Sequence, residues 1–137
     1  MAFYAPDELQ AMGFGHLGRD VCIDRTVMIH GAARIHLGDN VRVDAFSILS
    51  ASGFDIVFDG HNHIGAGTYV FANGGLVRFE LFSSASPGCR IFTTTDDFSL
   101  GMLRGPQLDV AYRQLKQGPV WFRENAGIGA NVVVLPG

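Results

Sequence analysis

A chain of 137 residues with 47% apolar content fits one domain with a real core. The formal charge of -3 leaves no basic footprint for nucleic acid or an anionic membrane, and no apolar run approaches the roughly 18 residues that span a bilayer. The 18 glycines are nearly twice the usual share of roughly 7%, yet only 5 prolines accompany them, which argues against low-complexity disorder.

The opening MAFYAPDELQAM has no basic n-region and no signal-like apolar core, so the chain reads as cytoplasmic. The stretch APDELQAMGFG predicts a short helix, with acids in its first turn and Gly13 near its end. Residues 1–16 are read as a cap on residues 17–137. From Leu17 onward an apolar residue recurs every sixth position, a period foreign to helices. The groups are Leu17, Ile23 and Ile29; Leu37, Val43 and Leu49; Phe58, Ile64 and Val70; Phe79, Ala85 and Ile91; Phe122, Ile128 and Val134. Four residues after each apolar site stands a small or β-branched residue, Val21, Val41, Ser47 and Thr68 among them, with Asn62 as the exception. Glycine and acidic residues cluster just after the apolar site, as in LGRD, LGDN, IGAG and IGAN. Periodicity of this kind marks a solenoid in which each repeat stacks on its neighbours.

The hexads LGDNVR, IGAGTY and IGANVV resemble the repeat of the hexapeptide-repeat acyltransferases, over about residues 17–95 and 118–137. The resemblance implies an all-β fold: a left-handed parallel β-helix of about five coils, each coil three hexads. Gly, Asp and Asn suit the unusual backbone angles at its turns. Extra residues enter at one corner after the third hexad of a coil. The largest insert, 96–118, is long enough to be functional, and in the family such an excursion lies over a neighbouring subunit's active site.

Side chains alternate along a strand, so residues flanking each inner site point outward. The face beside the third column carries Met28, Ile48, Tyr69, Phe71 and Phe92, too apolar for a solvated wall. It predicts an interface, and the family is homotrimeric. The face beside the second column carries Cys22, Arg42, His63, Ser84 and Gly127, with Asp24, Asp44, Gly65, Ser86 and Gly129. Above His63 it is nearly bare, a groove able to admit an extended ligand.

Of the five histidines, His61 occupies a turn site held by Asn40 one coil earlier, and His16, His30 and His36 point outward without evident partners. His63 borders the bare groove, and NHIGAG resembles a segment found in members that modify O-antigen and capsule sugars, including nucleotide-linked amino sugars. The resemblance implies that His63 is a catalytic base in acyl transfer from acetyl-CoA to a sugar amine or hydroxyl. Some members follow the histidine with an acid, but Ile64 stands there, so the orienting partner is left among Asp96 and Asp97 of TDDFS and Asp44 one coil below. Ser84, Gly127, Gly129 and Ala130 are expected to line the acetyl-CoA groove. Cys22 and Cys89 match no metal spacing, so no metal site is expected. The sequence stops at VVVLPG, where family members typically continue. An alternative reading is therefore a truncated, non-catalytic β-helix serving as a binding or structural module, its final turn from about Ala130 frayed or paired with another molecule.

Overall fold

The computed structural model describes residues 2–137. Three parallel sheets of five short strands each wrap one core, a β-solenoid in which every coil contributes one strand per face. The first face stacks His16–Leu17, Ile35–Leu37, Ile56–Phe58, Val77–Phe79 and Val120–Phe122. The second stacks Cys22–Ile23, Arg42–Val43, His63–Ile64, Ser84–Ala85 and Gly127–Ile128. The third stacks Met28–His30, Ile48–Ser50, Tyr69–Phe71, Arg90–Phe92 and Val133–Val134. The three inner columns fall in the register the hexads predict, with Leu37 opposite Phe58, Val43 opposite Ile64 and Leu49 opposite Val70.

Strands stay short because the chain must turn a corner every hexad, and the corners select their residues. Asp20, Asn40, His61, Phe82 and Asn125 form one ladder of left-handed backbone, with φ between 53° and 64°. Phe46, Gly67, Gly88 and Asn131 form a second. Asn, Asp and Gly adopt this region at little cost, whereas a phenylalanine does so against its steric preference.

The core is continuous along the axis. The rings of Phe58, Phe79 and Phe122 stack with centroids 4.9 and 4.5 Å apart. A further inner column, Ile35, Ile56, Val77 and Val120, lies two residues ahead of the first and was not anticipated from the six-residue period. Asn62, the exception to the small-residue rule, is buried but satisfied. Its amide nitrogen donates to the carbonyls of Glu80 (2.8 Å) and Ser83 (3.0 Å), and its oxygen accepts from the Gly60 N–H.

The expected helix spans Pro6–Ala11, its Glu8 carboxylate accepting from the Ala5 N–H at 2.7 Å. It buries Leu9 against the first coil, and Gly13 ends it at φ 75°. Ahead of it a strap runs antiparallel to the first coil, where Phe3 bridges Asp24 and the Tyr4 N–H donates to the Ile23 carbonyl. The excursion begins earlier than expected, because Thr94–Asp96 pairs antiparallel with Leu115–Gln117 and closes a two-stranded stem. The expected fraying from Ala130 is not found. Val133 and Val134 pair with Arg90 and Ile91, and the Asn131 N–H donates to the Pro87 carbonyl.

Candidate active site

Parallel register places five outward positions in a row on the second face: Cys22, Arg42, His63, Ser84 and Gly127. His63 stands half exposed in the middle of this row. Its Nε2 lies 2.7 Å from Asp44 Oδ2, one coil below. The second carboxylate oxygen of Asp44 accepts from Arg42 Nε, also at 2.7 Å, and the Arg42 guanidinium lies over the Phe3 ring of the N-terminal strap at 5.4 Å. Asp44 itself is only 7% exposed.

The electrostatics of this row follow from the contacts. Burial pushes the Asp44 carboxyl up, but the hydrogen bonds from Arg42 and His63 outweigh it and hold the group below the usual carboxylate range. An ionised Asp44 can only accept, so His63 carries its proton on Nε2. Nδ1 is then the ring nitrogen that keeps its lone pair. Asp44 thus orients the imidazole and would stabilise its protonated form, the arrangement a general base requires.

Above the dyad the wall is bare. Ser84 pairs with Gly127, whose missing side chain would meet only Ser84 Oγ, and a side chain at Gly129 would meet nothing within 4 Å. Ala130 follows at the exposed corner. Gly65 is bare for a different reason, since the Pro87 backbone passes 2.5 Å from where its Cβ would be. The residues expected to line the donor groove therefore do form one strip, and it leads directly to His63.

Asp96 and Asp97 are not part of this dyad. Asp96 accepts from Arg113 Nε at 3.0 Å and from the Gly105 N–H, pinning the excursion to its own stem, and Asp97 caps Ser99. Neither hydrogen-bonds to His63, because both sit at the corner between the third and first faces. His36, expected to lack a partner, contacts Asp55 at 3.1 Å. His16 and His30 are exposed, and His61 takes the left-handed turn position at φ 53°. Cys89 is buried, its thiol donating to the Gly129 carbonyl. Sequence reasoning placed Arg42 directly below His63 in the row from the hexad register but assigned it no role. A separate cavity of about 450 Å3 opens between the excursion and the third face, lined by Phe71, Phe92, Asn73 and Arg113. Among the described residues no cluster suited to a metal ion occurs, and no helix is long and apolar enough to cross a membrane.

No family model matches the chain. A solved structure does: AntD, an N-acyltransferase from Bacillus cereus in complex with dTDP and 3-hydroxybutyryl-CoA, is similar with a TM-score of 0.93 and 30% identity, over 100% of this chain and 72% of that one. The chain belongs to the hexapeptide-repeat acyltransferases and is a CoA-dependent acyltransferase. Within that family its similarity is to enzymes of nucleotide-linked amino sugars. The dTDP-4-amino-4,6-dideoxy-D-glucose acyltransferase of Escherichia coli is 29% identical, over 99% of this chain and 70% of that protein. A variant of AntD in complex with dTDP-4-amino-4,6-dideoxyglucose and Coenzyme A matches with a TM-score of 0.93 at 30% identity, over 98% of this chain and 71% of that one.

Proposed function

We propose that this acyltransferase moves an acetyl or short acyl group from its CoA thioester to the amine of a dTDP-linked amino sugar, with His63 as the base. The observation that carries the catalytic assignment is the His63–Asp44 contact at 2.7 Å beside the bare strip. An acyl-CoA arm lying along Ser84, Gly127, Gly129 and Ala130 brings its carbonyl toward His63. The sugar nitrogen attacks that carbonyl, and Nδ1 of His63 takes the proton the nitrogen loses. The C–N bond forms, the C–S bond breaks, and the imidazolium returns the proton to the departing thiolate. No covalent enzyme intermediate is needed, because both substrates held side by side supply much of the rate.

The working form is a homotrimer built on the third face. Met28, Val133 and Leu135 there are 53%, 58% and 53% exposed, and the excursion displays Phe98, Leu100, Leu103 and Tyr112 with little cover. Burial of such surface is worth roughly 25 cal/mol per Å2. In that assembly the excursion lies against a neighbouring subunit, where Asp97 would hold the sugar's amine while Asp96 keeps the excursion on its stem. The cavity beside the stacked Phe71 and Phe92 rings, 5.6 Å apart, suits the thymine base. Such an enzyme acts in the cytoplasm, on sugars bound for surface polysaccharide such as lipopolysaccharide. The test is turnover of acetyl-CoA with dTDP-4-amino-4,6-dideoxyglucose, read as free thiol release, with His63→Ala as control. The variant is expected to lose about 10^2 to 10^4 in rate with little change in melting temperature. Absence of turnover by the parent chain refutes the substrate assignment, and light scattering that finds only monomer refutes the trimer.

A further inference from the structure

Arg42 takes no part in the reaction just described, yet its placement is unusually determined. It lies one rung below His63, in register with it. Its Nε hydrogen-bonds the same buried carboxylate that holds His63, each through a different oxygen. Its other face is covered by Phe3, which the antiparallel bridge to Asp24 fixes in place. The hydrogen bond to Asp44 raises the guanidinium pKa above its ordinary value. A half-exposed surface arginine ordinarily gains little from an ion pair. This one donates to a nearly buried acceptor whose remaining oxygen points at the imidazole.

We propose that Arg42, seated on Phe3 of the N-terminal strap, is a positioning residue for His63, acting through Asp44. This rests on the reading of His63 as the base. The guanidinium fixes the carboxylate plane, so that Oδ2 faces Nε2 and Nδ1 is presented to the acceptor. The charged or titratable groups along this face are Cys22, Asp24, Arg42, Asp44 and His63, while the coil above offers only Ser84 and Ser86. Asp24 is engaged by Thr26 and the Ala2 N–H. Arg42 is therefore the cation of this row closest to His63.

The experiment is the steady-state kinetics of acetyl transfer from acetyl-CoA to dTDP-4-amino-4,6-dideoxyglucose by Arg42→Met, Arg42→Lys and His63→Ala, beside a melting curve of each. In Arg42→Met, kcat is expected to fall roughly tenfold to hundredfold, the weight of a charge-assisted hydrogen bond. KM for both substrates stays within about twofold if binding is untouched. Arg42→Lys keeps the charge while kcat stays low, since an ammonium does not reproduce the fixed planar donor. A merely structural role would lower the melting temperature and leave kcat of the folded variants at the parental value, and that result overturns the proposal. Full turnover in His63→Ala instead overturns the base assignment beneath it, so the two failures are told apart.

Discussion

Replacing Asp44 by Asn changes one atom in the row and reverses the role of its neighbour. Arg42 Nε needs an acceptor at 2.7 Å, so the amide oxygen must turn toward it. The amide nitrogen then faces His63 Nε2, also at 2.7 Å in the parent, as a donor. Two N–H groups cannot point at each other, so the imidazole must move its proton to Nδ1 and accept at Nε2. The nitrogen that faced the sugar as a base now carries hydrogen, and general-base catalysis worth about 10^2 to 10^4 is lost. The fold should survive at modest cost. Two hydrogen bonds to a charged acceptor are weakened, each worth about 1.5–3 kcal/mol when fully charged, while partial exposure of Arg42 and His63 allows water to replace part of them. The measurement is kcat/KM between pH 6 and 9 beside a melting curve. A variant that is folded and retains parental kcat/KM would refute the tautomer argument and with it the base assignment.

Three further outcomes are expected. Phe79→Ala removes a fully buried ring stacked on both Phe58 and Phe122 and should cost about 3–5 kcal/mol in denaturant unfolding; a loss below about 1 kcal/mol would mean that the aromatic column is not the spine of the core. Phe46→Asn should stabilise the chain by about 1 kcal/mol, because the ring is 70% exposed at φ 61° and asparagine tolerates that backbone; a lowered denaturation midpoint would show that the ring packs against something. Asp44 and Asp24 both have depressed pKa values, Asp44 through Arg42 and His63 against the opposing effect of burial, Asp24 chiefly through Thr26. Their contribution to stability is complete above the unfolded value near about 3.9 and is lost as pH falls through the folded values. Melting temperature should therefore drop steeply below about pH 4, more gently in Asp44→Asn, and an equal slope in both would refute the linkage.

The coils were legible because one inner position repeats at six within each of five groups of three, a spacing that an amphipathic helix does not give. From that register followed the bare strip, the prominence of His63 and the apolar third face. The column through Ile35, Ile56, Val77 and Val120 was hidden because it follows the corner where extra residues enter, so that counting four on from the third inner site of each coil lands short of it. The excursion had no period to read, so its stem came out at Thr94 rather than Asp96. The partner of His63 was left open among three aspartates, although a signal was present. Side chains on this fold lean diagonally toward the next coil, and the pairs Asp44–His63, Asp59–Arg78 and His36–Asp55 are all separated by 19 residues. Asp96 and Asp97 have no such relation to His63.

That spacing makes the dyad a property of a junction rather than of any coil. Asp44 belongs to the second turn of the winding and His63 to the third, and no segment within a single turn contains both. In a stack whose units hold only their neighbours, each junction opens with its own equilibrium. Acetyl transfer therefore gauges one closed seam in the middle of the molecule. Loosening of the outermost turns would pass unnoticed by the chemistry, whereas a single break between Asp44 and His63 would silence an otherwise ordered solenoid.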